Sequence, residues 1–109
     1  MDMRAYTQAF VDDARDSMAK AHAALQILRK LPRDEKQLYE VMRLFHSIKS
    51  TAVMMGLQEI SDLCGSIELL YKGILEKGGS VSSDALETAE KATKQVEEAV
   101  AAFAKRKAS

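Results

Sequence analysis

His46 and Lys49 stand one helical turn apart within LFHSIKSTAVMMG, residues 44–56. Histidine titrates near neutral pH, and its neutral ring carries a nitrogen lone pair. A lysine one turn further along a helix lies on the same side and supplies a fixed cation. An imidazole can therefore attack an electrophile that carries negative charge, such as a phosphoryl group, while the ammonium neutralises that charge. A nucleophilic histidine also needs a partner for its other ring nitrogen, and Glu68 is the candidate. A carboxylate that accepts one ring N–H fixes the tautomer and leaves the second nitrogen available. The same three residues also fit a partly exposed surface network without chemistry, and from the pattern alone both readings stand.

The elements that would position these residues follow from apolar spacing. Tyr6, Phe10, Ala14, Met18, Ala21, Leu25 and Leu28 recur at steps of three and four and predict a first helix over residues 4–30. Leu31-Pro32-Arg33 breaks it, because proline disfavours the helical conformation in the residue before it and lacks the N–H that would continue the ladder. Asp34 is the predicted cap of a second helix, with Gln37 at the reciprocal capping-box position. Leu38, Val41, Phe45, Ile48, Ala52 and Met55 form its seam and Gly56 its end. A third helix runs through Ile60, Leu63, Cys64, Ile67, Leu70, Ile74 and Leu75 to Gly78-Gly79. Residues 80–84 offer several N-caps for a fourth, with Leu86, Ala89, Thr93, Val96, Val100 and Phe103 facing inward. Four amphipathic helices joined by short turns predict an all-α fold, an antiparallel up-down-up-down four-helix bundle.

On that frame His46 is advanced by about 100° from the core residue Phe45 and shares a stripe with Tyr39, Met42, Lys49, Ser50 and Val53. The matching stripe of the third helix holds Ser61, Gly65, Glu68 and Lys72. Glu68 lies twelve residues after Gly56 and His46 ten before it, so an antiparallel turn there lets the two meet.

Composition narrows the function classes. A chain of 109 residues, 47% apolar, suits one domain over residues 1–109 and is too short for a conventional multi-domain enzyme. Sixteen basic residues balance sixteen acidic ones, which leaves no electrostatic footprint for nucleic acid beyond the small tail at Lys105, Arg106 and Lys107. The one cysteine, Cys64, sits in an apolar pattern and is expected to be a small buried hydrophobe, and the location is expected to be cytoplasmic. No apolar run approaches the roughly 20 residues of a membrane span, and MDMRAYTQAF lacks the features of a signal peptide. His22, beside Ala21, is expected to be a partly exposed helix residue. The histidines, Cys64 and the carboxylates show no metal-ligand spacing, and no phosphate loop or serine triad is present, so no metal or cofactor is expected in this domain.

His46-Ser47-Ile48-Lys49, followed by Gly56-Leu57 and later by Glu68 and Leu69-Leu70, resembles the histidine phosphotransfer (HPt) domain family, above all the N-terminal phosphotransfer domains of CheA-type chemotaxis histidine kinases. Met1-Asp2-Met3 with Tyr6 and Phe10 resembles the start of such kinases. The resemblance covers essentially the whole chain. It implies that His46 is phosphorylated, that Lys49 is the family's lysine beside it and that Glu68 holds the ring. It further implies a monomeric phosphocarrier, not a free-standing enzyme. The group would come from a histidine-kinase catalytic domain and go to an aspartate of a response-regulator receiver, with ATP and Mg2+ on the partner domains. Two positions depart from the family: Ser50 replaces the glycine usual after the lysine, and Gly65 replaces a second histidine common in CheA domains. Met42, Ser50, Val53, Gly65 and Lys72 are the positions expected to meet a partner. The alternative function is a helical interaction module that docks signalling partners without phosphotransfer.

Overall fold

A computed structural model describes residues 3–108, excluding the Met3 side chain; Met1, Asp2 and Ser109 lie outside the described residues, and with them the resemblance at the N-terminus and the ends of the 1–109 span. Four helices follow one another, α1 (Met3–Lys30), α2 (Glu35–Met54), α3 (Gln58–Glu76) and α4 (Ser83–Ala108). Each packs on two neighbours, α1 and α3 both lying against α2 and α4. This is the ring of an up-down-up-down bundle, with extents of 45 × 20 × 19 Å. The α2–α3 seam is the most extensive of the four and the α3–α4 seam the thinnest. No helix among the described residues is long and apolar enough to cross a membrane.

Local chemistry sets the helix ends. α1 stops at Lys30, one residue before the Leu31-Pro32 step. The Asp34 carboxylate accepts the Gln37 N–H at 3.2 Å and caps α2. The reciprocal half of the capping box is replaced, because the Asp34 N–H donates to the Leu31 carbonyl at 3.0 Å. Gly56 (φ 75°) and Gly78 (φ 60°) take the left-handed conformation that turns the chain after α2 and α3, a conformation that costs glycine little. Ser82 caps α4 by accepting the Ala85 N–H at 3.0 Å. At the same end of the bundle the Val81 N–H donates to the Pro32 carbonyl at 2.8 Å, tying the two connections together.

The inner faces of α2 and α4 are close to those predicted. Leu38, Val41, Phe45, Ile48 and Ala52 are buried, with Leu44 in addition and Met55 half-buried at the seam's end; all six predicted positions of α4 are buried. Two predicted positions are wrong elsewhere. Tyr6 is 46% exposed, because the core line of α1 runs through Val11 and the half-buried Thr7. On α3 Leu70 is 37% exposed and Tyr71 fully buried. The seam continues from Cys64 and Ile67 to Tyr71 because the phenol finds a partner, donating to the Ala85 carbonyl at 2.8 Å. That bond also spans the thin α3–α4 seam. Leu63, Ile74 and Leu75 are half-buried on its flanks.

Candidate functional site

α2 and α3 run antiparallel through the turn at Met55, Gly56 and Leu57, and their polar stripes face the same side. His46 Nδ1 lies 2.6 Å from Glu68 Oε2, and Lys49 Nζ lies 2.6 Å from Glu68 Oε1. One carboxylate thus holds two groups from the neighbouring helix. Glu68 itself is only 16% exposed, whereas the His46 side chain is 57% and Lys49 36% exposed. The carboxylate is the anchored centre, and the imidazole projects from it into solvent.

Protonation follows from this arrangement. Burial pushes the Glu68 carboxyl upward, but hydrogen bonds from Lys49 and His46, together with their charges, outweigh it and hold the group below its ordinary value. An ionised carboxylate only accepts hydrogen bonds. His46 Nδ1 must therefore carry the ring proton, and the neutral ring then has its lone pair on Nε2. The sequence expectation that His46 and Glu68 can meet is realised, with Lys49 joined to the same carboxylate.

The remaining candidate residues surround this trio. Ser50 is exposed, but its hydroxyl folds back to donate to the His46 carbonyl at 3.2 Å. Val53 and Lys72 are exposed, Met42 is half-buried against the core, and Gly65 is half-buried beside the Lys49 stem. Tyr39, His46 and Val53 are spaced by seven residues and so share one line along α2. Tyr39 (54%) and Val53 (53%) are both exposed, and Leu69, next to Glu68, is 70% exposed. The histidine therefore stands between two exposed apolar side chains, each two turns away along α2, which form an apolar rim at either end of the site.

Sequence reasoning missed the bond from buried Ser61, whose hydroxyl donates across the helix pair to the Lys49 carbonyl at 3.1 Å. Its one sequence signal is membership of the α3 stripe with Gly65 and Glu68. Cys64 is buried, and burial pushes its thiol up to about 12, so it behaves as the small hydrophobe its setting predicts. His22 is exposed and makes no hydrogen bond or ion pair among the described residues.

A family model of the Hpt domain matches residues 5–105. The chain belongs to the Hpt domain family. As such it is a phosphorelay carrier, a substrate of transfer and not a catalyst. The Hpt domain is 26% identical over 87 residues to chemotaxis protein CheA of Bacillus subtilis (strain 168), covering 80% of this chain and 13% of the relative. It is 28% identical over 82 residues to chemotaxis protein CheA of Halobacterium salinarum (strain ATCC 29341 / DSM 671 / R1), covering 75% and 12%. The chain thus spans about an eighth of the length of these curated relatives. Its fold matches the CheA phosphotransferase domain from Thermotoga maritima with a TM-score of 0.88 at 22% identity, over 94% of this chain and 98% of that one. It also matches a computationally redesigned four-helix bundle with a TM-score of 0.83 at 18% identity, over 90% and 96%. Both likenesses concern the four-helix fold alone, and the chemistry is argued from the side chains the fold carries.

Proposed function

We propose that His46 is the phosphoryl acceptor of this Hpt domain, in signalling of the chemotaxis type. The observation that carries this reading is the shared carboxylate: Glu68 binds Nδ1 of His46 and leaves Nε2 as the exposed nucleophile. The lone pair of Nε2 attacks the γ-phosphorus of ATP held by a histidine-kinase catalytic domain. A P–N bond forms as the bond to the ADP oxygen breaks. The ring becomes cationic, and the charge of Glu68 at 2.6 Å stabilises it. Lys49 spends one N–H on Glu68 and has donors left for the phosphoryl oxygens. In the second step an aspartate oxygen of a response-regulator receiver attacks the phosphorus, the P–N bond breaks and the neutral ring returns.

Such transfer needs positioning and charge compensation more than covalent machinery, which suits a small carrier. ATP and Mg2+ accordingly belong to the kinase domain, and this domain, spanning residues 1–109, works as a cytoplasmic monomer. The apolar rim with Met42, Ser50, Val53, Gly65 and Lys72 is the surface on which both partners would dock in turn. The rim also suits the rival reading, a docking module without transfer, which would not require His46.

Labelling separates the two. With a CheA-type kinase catalytic domain and γ-labelled ATP, the chain should gain acid-labile, base-stable phosphate that passes to a receiver domain. His46→Gln should abolish labelling with helical content unchanged. Retained labelling in His46→Gln would overturn the assignment, and partner binding without any labelling of the wild type would favour the docking module.

A further inference from the structure

Gly65 occupies the interior of α3, where glycine is the poorest helix former short of proline. Its backbone does not need glycine: among the described residues positive φ occurs only at Gly56 and Gly78. What distinguishes Gly65 is the space beside it. A Cβ there would lie 3.2 Å from Cδ of Lys49 and 4.0 Å from its Cγ, with nothing else of the neighbouring helices within 4 Å. The methylene stem of Lys49 therefore fills the place of a side chain, and its ammonium continues to Glu68, three residues further along α3. The backbone end of the same lysine is fixed as well, through the bond from Ser61 to the Lys49 carbonyl.

We propose that Gly65 is a positioning residue for phosphoryl transfer: the seat left by its missing side chain directs Lys49 onto Glu68, and Glu68 in turn orients the His46 ring. The inference rests on the reading of His46 as acceptor. A purely architectural glycine would allow close approach of two backbones, but here the atoms a Cβ would meet belong to a flexible side chain. A Cβ at position 65 requires the Lys49 stem to give by a few tenths of an ångström, more for a larger side chain, and meets no backbone of α2. Stability and transfer should consequently move in opposite directions, because a better helix former strengthens α3 while Lys49 loses its seat.

The test places Gly65→Ala and Gly65→Val in the wild type and in Lys49→Met, which keeps most of the stem and removes the charge. Three quantities are read: Tm, the titration of the Glu68 carboxyl by carbon NMR, and the initial rate of labelling by the kinase domain. Gly65→Ala should raise Tm by about 4 °C. Labelling should fall about threefold in Gly65→Ala and about tenfold in Gly65→Val, with the Glu68 titration moving up toward the ordinary carboxylate range. In Lys49→Met the same substitutions should leave the Glu68 titration unchanged and lower the rate by a clearly smaller factor, the remainder being the effect of position 65 on docking. Equal losses in both backgrounds would overturn the proposal in favour of a packing role, as would a Glu68 titration unmoved by Gly65→Val. A titration that shifts with labelling unaltered would likewise overturn it, leaving Gly65 a seat for Lys49 with no part in transfer.

Discussion

The α1–α4 half of the bundle and the α2–α3 half are built from the same kind of amphipathic helix but leave different surfaces. In the first, Ala14, Ala21, Ala24, Ala85, Ala89 and Ala92 bring the helices together, Phe10 and Phe103 meet edge to face at 5.8 Å, and Arg29 pairs with Glu90 across the seam. α4 exposes no large apolar side chain among the described residues. α1 exposes Tyr6 and Ile27, and the second half exposes Tyr39, Val53, Met54, Leu69 and Leu70, of which Tyr39 and Val53 lie on the same line of α2 as its one held histidine. Each half carries an exposed histidine and a cross-helix carboxylate–cation pair, yet only in the second do the two coincide. Residue type and exposure do not make the site; the register between two helices does, by placing His46 and Lys49 on the two oxygens of one carboxylate.

The largest effect should come from removing the charge at that coincidence. Glu68→Gln is expected to slow phosphorylation about 10- to 100-fold while receiver binding changes little, whereas Glu90→Gln, its counterpart in the other half, should leave the rate at the wild-type value. Comparable losses in both variants, read as initial labelling rates, would erase the distinction between the halves. The same variant carries a pH signature. Because the folded protein holds the Glu68 carboxyl below its ordinary value of 4.5, its ion pairs stabilise the fold above that pH and are lost as the pH falls through the lowered value. The stability difference between wild type and Glu68→Gln, measured by urea unfolding, should therefore shrink as the pH falls through and below about 4.5. A difference that grows on acidification would contradict the shared ion pair.

Tyr71 sharpens the contrast from the structural side. Tyr71→Phe removes the buried bond to the Ala85 carbonyl and should cost about 1 kcal/mol of stability, seen as a lower urea midpoint. Labelling of His46 at equal folded fraction should not change. A selective loss of labelling would mean that the α3–α4 seam communicates with the site.

The smallest effect concerns Ser50, whose hydroxyl is turned back onto the His46 carbonyl. Ser50→Gly should weaken α2 by up to about 1 kcal/mol and broaden transfer to non-cognate receivers, measured on a panel of receiver domains. An identical preference profile would assign selectivity to Met42, Val53 or Lys72 instead.

The helices were legible in the sequence because apolar spacing, Pro32, Gly56 and Gly78 each act locally. His46 with Glu68 was legible for a related reason: a short turn makes register a matter of counting from Gly56. Tyr71 was not, because the burial of a phenol depends on an acceptor fourteen residues away, which periodicity does not contain. Gly65 stood out as a departure from the family, but the occupant of its space comes from the opposite helix and depends on the path of the Lys49 stem. Ser61 escaped for the same reason, its acceptor being a backbone carbonyl across the seam.

The central claim is that Glu68 holds Nδ1 of His46 and leaves Nε2 to react, and the position of the phosphoryl group on the ring tests it most directly. Nitrogen and phosphorus NMR of the freshly phosphorylated, ring-labelled domain distinguishes the two isomers. The expected result is Nε2-phosphohistidine at residue 46, with the Nδ1 proton still bonded to Glu68. Phosphate on Nδ1, or on any residue other than His46, would contradict the account.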